Sequence, residues 1–270
     1  MSIIDFLIIQ PLAPYKYGLQ RKADGSKRAL GFAQLESSPM PNASEYAEEN
    51  RLPHQYAIPF SLVGLMAMDM DSTAITIECI DEIADFAGVK AEVSAVTEAA
   101  MRGELDFQDS LKQRVACLEG LSTKVLEEVY EARLRPSPGL KELMAEAHRN
   151  DVKTLLVSGG FTYFTERMRQ RFGYTYTRAN TLGEHDGRLT GKVCGAIVDA
   201  SEKERVLRFI ASTLPASRCA TIAIGDGAND LPMLKAATLG VAFHAKPRVR
   251  EHVQVAINVG GLDTLFALLP

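Results

Sequence analysis

What this chain lacks narrows it before any motif is considered. Its four cysteines (Cys79, Cys117, Cys194 and Cys219) are scattered, with no pair at metal-ligand spacing, so reduced core thiols are expected rather than a disulfide framework. The five histidines (His54, His148, His185, His244 and His252) show neither HxH nor HExxH spacing, which leaves a zinc site without support. No apolar run approaches the ~20 residues that a membrane span requires. A formal net charge of -4 offers no basic field for nucleic acid. The opening residues, MSIIDFLIIQPLAPY, are apolar but carry Asp5 and no basic start, so a secretory signal is not expected. Internal repeats and low-complexity tracts are also missing. What remains is a globular protein with no nucleic-acid or membrane partner, expected in the cytoplasm, as monomer or homodimer.

The 270 residues, 46% of them hydrophobic, are enough for one large or two modest domains. The organising stretch is Leu62 to Glu78, reading LVGLMAMDMDSTAITIE. Its apolar start predicts a buried strand, and Asp69 and Asp71 stand where that strand should end. Ligands of open α/β sheets bind outside the carboxyl ends of the strands, which makes Asp69 the candidate centre.

Residues 1–60 differ in texture: an apolar segment from Ile3 to Ile9, a possible hairpin at Asp24-Gly25, a polar stretch, then the acidic Glu45 to Glu49. They read as an extension or small accessory domain. From residue 75 to 135 the apolar spacing becomes helical. Ile80, Ile83, Ala84 and Ala87 precede a stop at Gly88, and Val93–Met101, Phe107–Leu118 and Val125–Leu134 follow. This helical insertion could cover the carboxyl end of the sheet as a lid. The core, 61–74 with 136–270, resumes at Pro138-Gly139 with a helix from Leu140 to His148.

Three later strand ends carry polar chemistry. Strand Lys153 to Val157 runs into Ser158-Gly159-Gly160-Phe161, a turn that opens a helix and suits an anion, although such a turn on its own is more often a plain loop than a phosphate site. A hairpin turning at Asp186-Gly187 precedes a strand through Ala196 to Val198 and Asp199. Ser201 and Glu204 then form an S-x-x-E capping box that puts Lys203 in the first helical turn, either as a solvated lysine or as a cation beside bound phosphate. Strand Thr221 to Ile224 ends in GDGAND (225–230), where Asn229 or Asp230 could cap the next helix. Short strands at Leu239–Ala242 and Val255–Ile257 and a helical Leu262–Leu268 close the chain.

Together these strand ends describe a phosphate site with a divalent cation. Carboxylate oxygens of Asp69 and Asp226 with the backbone carbonyl of Asp71 suit Mg²⁺, and Mg²⁺ with Lys203 would neutralise charge between an anionic nucleophile and a phosphate.

In this order, DMDST (69–73), SGG (158–160), Lys203 and GDGAND (225–230) resemble the four motifs of the haloacid dehalogenase superfamily of phosphatases, a likeness covering about residues 64–260. DMDSTAITIECIDEIA, AMRGELDFQDSLKQRV and VSGGF are most similar to its phosphoserine-hydrolysing branch. The resemblance implies a Rossmann-like α/β core with a parallel sheet and a small helical cap inserted after the first core strand. It implies hydrolysis of phosphoserine, as the last step of serine biosynthesis. Asp69 would be the nucleophile that forms an aspartyl-phosphate, and Asp71 the acid and then the base. Ser158, Gly159 and Lys203 would hold phosphate, Asp226 would complete the Mg²⁺ site, and Asp230 would support it. Glu78 and Arg114 would take the amino and carboxyl groups of the substrate, Met101 and Phe107 would form apolar walls, and Asn229 would add a substrate contact. Transfer of phosphate to another alcohol such as homoserine is a second reading of the same chemistry. A phosphorylated receiver is a third, but it leaves no place for the insertion.

Overall fold

A computed structural model describes residues 50–270; the strand at Ile3–Ile9 and the hairpin at Asp24-Gly25 lie outside them. Strand β1 (Val63–Met68) is buried along its whole length. Met66 and Met68 enter one apolar cluster, whereas Leu65 and Ala67 enter another on the opposite face of the sheet. A strand covered on both faces needs apolar residues at every position, which is why this segment shows no alternation.

Four helices fill residues 75–135: α1 (Cys79–Ala87), α2 (Lys90–Met101), α3 (Phe107–Ala116) and α4 (Lys124–Ala132). They stand where the sequence pattern predicts the helical insertion. Gly88 ends α1 in the left-handed conformation at φ 72°, as its position in the sequence implied. The two strands of chain that join the insertion to the sheet are tied to each other, with Thr76 N–H donating to Arg135 O at 3.0 Å and Ser137 N–H to Ala74 O at 2.9 Å.

The remaining elements are α5 (Leu140–Arg149), β2 (Lys153–Phe161), α6 (Thr162–Phe172), β3 (Tyr176–His185), β4 (Arg188–Cys194), α7 (Ala200–Ala211), β5 (Ala220–Gly225), α8 (Leu231–Ala236), β6 (Leu239–Phe243), α9 (Pro247–Arg250) and β7 (Val255–Ile257), with a final 3₁₀ helix over Leu262–Leu268. The sheet has seven strands in the order β4-β3-β2-β1-β5-β6-β7. Every pairing is parallel except that of β3 with β4, where Asp186 (φ 50°) and Gly187 (φ 71°) make the expected tight turn. This is a Rossmann-like α/β architecture. The chain leaves β1 toward β2 on one side and returns to its other side at β5. A crevice must therefore open at the carboxyl ends of β1 and β5, the switch point of the sheet.

Two local expectations are corrected. Ala196–Val198 is not a strand, because β4 ends at Cys194 and the chain runs irregularly into α7. The cap of α7 is Asp199, whose carboxylate accepts from Glu202 N–H at 3.0 Å. Ser201 donates to that carboxylate at 2.7 Å instead of capping, and Glu204 pairs with Arg208. An aspartate two residues earlier outcompetes the serine because its charge favours the positive end of the helix.

At the other sheet edge, Arg51 and Ala256 exchange backbone hydrogen bonds of 2.8 and 2.9 Å, and buried Asn50 accepts from Asn258 N–H and Val259 N–H. Residues 50–60 are thus joined to β7. No helix among the described residues is long and apolar enough to cross a membrane.

Candidate active site

Beyond β1 the backbone stays extended through Asp69 (φ −67°, ψ 159°) and reaches Asp71 (φ −66°, ψ 135°). Residues two apart in extended chain share a face, so both carboxylates point into the crevice while Met70 is buried. Ser72 then turns at φ 55°, and Ala74 N–H and Ile75 N–H close a wide turn onto Asp69 O and Met70 O. The turn brings Ser72 Oγ within 2.6 Å of Glu78 Oε1 and Cys79 N–H within 3.2 Å of Asp71 Oδ1.

The cleft spans about 580 Å³ with the open solvent at its mouth included. Asp69, Asp71, Asp226 and Asn229 line it from the sheet, Gly159, Gly160 and Phe161 from the end of β2, and Glu78, Ile80, Phe107, Leu111 and Arg114 from the insertion. Ser158, Lys203 and Asp230 lie behind that lining, fully or almost fully buried. Lys203 Nζ donates to Asp69 Oδ1 and Asp230 Oδ1 at 2.7 Å each. Asp230 Oδ2 accepts from Gly227 N–H at 3.0 Å, so this residue braces the loop from within rather than capping α8 at the surface. Met101 is not brought to the cleft: it is 75% exposed at the end of α2, because that helix buries only Val93.

The helix expected after Ser158-Gly159-Gly160-Phe161 does begin at Thr162, but the glycines are not the free turn expected before it. The strand continues through them, and its register against β3 shifts between Val157 and Phe161. Gly160 N–H donates to Ser158 Oγ at 2.8 Å, which leaves the serine hydroxyl proton free to donate to an anion. Both glycines serve close approach. A Cβ on Gly160 would stand 2.6 Å from Asp71 Oδ2, and one on Gly159 would stand 3.1 Å from the Phe107 ring.

Acidity dominates the electrostatics. Burial, and then the Glu78 charge, push Asp71 up to about 7; burial and Asp230 raise Asp226 to about 6. Burial and Asp230 raise Asp69 well above its usual range against the opposing pull of Lys203. Burial works against the Lys203 charge, but Asp230 and Asp69 outweigh it and hold the ammonium protonated. Glu78 is raised by burial, and Arg114 is lowered by it, with its Nε buried and unpartnered.

Oxygens of Asp69, Asp226 and Asp230 all lie within 4.8 Å of one another. Three carboxylates gathered this closely, with Lys203 hydrogen-bonded to Asp69 and Asp230, form a hard-oxygen donor set whose mutual repulsion a divalent ion would relieve. The residues fit such an ion.

Several contributors were not singled out from the sequence. Thr73 Oγ1 donates to Asp226 Oδ1 at 3.1 Å, and Ser72 and Cys79 hold Glu78 and Asp71; the first two sit inside DMDST, so proximity to the motif was their signal. Ile80, Leu111 and Phe161 as wall residues, and Asn180 behind the glycines, carried no signal of their own.

An acidic crevice at the switch point of a mostly parallel sheet, with a buried lysine behind its first aspartate, defines a hydrolase of the haloacid dehalogenase type. The chain belongs to the haloacid dehalogenase-like hydrolase family, whose model matches residues 66–235. Within it, a phosphoserine phosphatase of Polaromonas sp. is 55% identical over 210 residues, covering 76% of this chain and 89% of that protein. The unliganded crystal structure of a probable phosphoserine phosphatase from Vibrio cholerae superposes with a TM-score of 0.72 at 45% identity, over 80% of this chain and 66% of that one. A phospho-aspartyl intermediate analogue of a phosphoserine phosphatase gives a TM-score of 0.70 at 36% identity, over 77% and 99%.

Proposed function

We propose that this protein hydrolyses O-phospho-L-serine to L-serine and phosphate through a phosphorylated aspartate, with Mg²⁺ as cofactor, as the cytoplasmic last step of serine biosynthesis. The observation that carries the reading is the composition of one cleft. Asp69 and Asp71 stand on its sheet side, and Glu78 and Arg114 face them from the insertion. A phosphate held at the first pair leaves a short zwitterion to be met by the second: Arg114 can grip a carboxylate through two parallel hydrogen bonds, and Glu78 can pair with an ammonium. The names of the relatives support the same substrate. The insertion serves as a cap domain over a core built from 61–74 and 136–270.

In this mechanism Asp69 attacks phosphorus with one carboxylate oxygen while Lys203 neutralises the other. Ser158 and Gly159 hold the phosphate, and Asn229 adds a substrate contact. As the ester P–O bond breaks, Asp71 gives its proton to the serine oxygen. Its acidity near neutrality matches it to that task and to the return step, in which it removes a proton from the water that attacks the phosphoaspartate. Phosphate leaves and Asp69 is regenerated. Mg²⁺, held by Asp69, Asp226 and the Asp71 carbonyl with Asp230 close by, would supply neutralisation of the phosphate charge.

The test is Mg²⁺-dependent phosphate release from L-phosphoserine against phosphothreonine and sugar phosphates, with Asp69→Asn beside the wild type. Preference for L-phosphoserine, lost in the variant, is expected. Cleavage of another ester with phosphoserine ignored would leave a phosphatase but refute the substrate.

A further inference from the structure

Between Val157 and Phe161 strand β2 advances four residues while its partner β3 advances only from Arg178 to Asn180. The extra residues cannot all keep ladder hydrogen bonds, and a buried carbonyl left without a donor is costly. Asn180, 1% exposed, answers this with its side chain: Nδ2 donates to Gly159 O at 2.8 Å. Its other end accepts from Val198 N–H, also at 2.8 Å. A carbonyl on one side and an N–H on the other require the amide in this orientation and no other.

The two partners belong to different parts of the site. Gly159 lines the cleft. Val198 precedes Asp199, the cap of α7, whose carbonyl accepts from Lys203 N–H at 3.0 Å. Lys203 in turn reaches Asp69 and Asp230. One buried amide thus sets the distance between the glycine bulge and the helix that carries the ammonium.

We propose that Asn180 is a positioning residue for anion binding: it holds the Gly159 peptide and the start of α7 in the spacing that a phosphate group requires. The inference rests on the reading of this cleft as a phosphate site. Asn180→Asp keeps size and the acceptor toward Val198 but sets a carboxylate oxygen against Gly159 O; Asn180→Ala removes both bonds.

Competitive inhibition by inorganic phosphate, with L-phosphoserine as substrate, is the readout, taken well below each variant's melting temperature. Loss of a buried hydrogen bond predicts a Ki for phosphate raised about tenfold in both variants, with KM rising alongside and kcat changing less. A lowered melting temperature with unchanged Ki overturns the proposal. If neither variant folds, the amide-labelled wild-type protein decides: on phosphate titration the Asn180 side-chain resonances should move together with those of Gly159, and their standing still overturns it. A wild type that cleaves no phosphoserine would instead count against the functional reading, whereas normal wild-type inhibition with unaltered variants removes Asn180 alone.

Discussion

Lys203 Nζ lies 2.7 Å from Asp69 Oδ1 although 134 residues separate them in the chain. The ammonium is 1% exposed and is shared with Asp230, so its charge is spent on the two carboxylates rather than on solvent.

Lys203→Met should therefore lower both stability and activity. Breaking a buried ion pair leaves uncompensated carboxylates, at a cost of about 3–5 kcal/mol, and loss of a positioned cation should slow turnover by about 10²–10³-fold. Adding Asp230→Asn to the variant should recover part of the stability without recovering activity. Urea melts and steady-state phosphate release separate the two effects; equal recovery of both would contradict the assigned role.

The pH dependence of stability follows from Asp71 at about 7 and Asp226 at about 6, against about 4 for carboxylates in an unfolded chain. Groups whose acidity is weakened by folding bind more protons in the folded state, so these two destabilise the metal-free protein progressively as pH rises from about 4 through about 7. Asp199, held low by the Ser201 hydroxyl, acts in the opposite sense, but only below about pH 4. Thermal melts in chelator should show the decline, and Asp226→Asn should flatten it. Mg²⁺ should raise the melting temperature more at pH 7.5 than at pH 5.5, since its ligands must be ionised.

Glu78 and Arg114 should govern substrate choice rather than chemistry. Arg114→Met should raise KM for L-phosphoserine at least tenfold and kcat far less. Glu78→Gln should weaken preference for phosphoserine over its analogue lacking the amino group. Comparing kcat/KM for the two substrates across both variants checks the assignment; parallel losses on both substrates would show that Glu78 does not read the ammonium.

Gly160→Ala should inactivate without unfolding. The added methyl would stand 2.6 Å from Asp71 Oδ2 and 3.0 Å from Ser158 Oγ, so one of these must shift. Displacements of this order cost about 10²-fold in rate. A folded variant with normal turnover, measured by phosphate release and circular dichroism, would remove Asp71 from the chemistry.

Much of this was legible in the linear chain. The unbroken apolar run before Asp69 read as a buried strand, and the period of Ile80, Ile83, Ala84 and Ala87 up to Gly88 as a helix that ends there; both stand in the structure. Polar residues placed just after strands named Asp69, Asp71, Ser158, Asp226 and Asp230, because strand ends are where an α/β sheet opens to ligands. Those signals are local: a dozen neighbouring residues carry each of them.

Only the tertiary structure decided what meets what. Met101 and Phe107 look alike as apolar residues of the insertion, yet the packing of α3 brings Phe107 to Gly159 while α2 leaves Met101 in solvent. Ser201 has the spacing of a cap, but Asp199 takes that place. Asn180 shows nothing unusual in its neighbours; its importance arises from a register shift between two strands and a peptide 18 residues further on. Periodicity and turn chemistry act over one helical turn or one strand, so the sequence by itself determined the elements and the ends at which chemistry could occur. Which side chains share the cleft depends on strand order, helix packing and the competition among buried partners, which only the folded chain resolves.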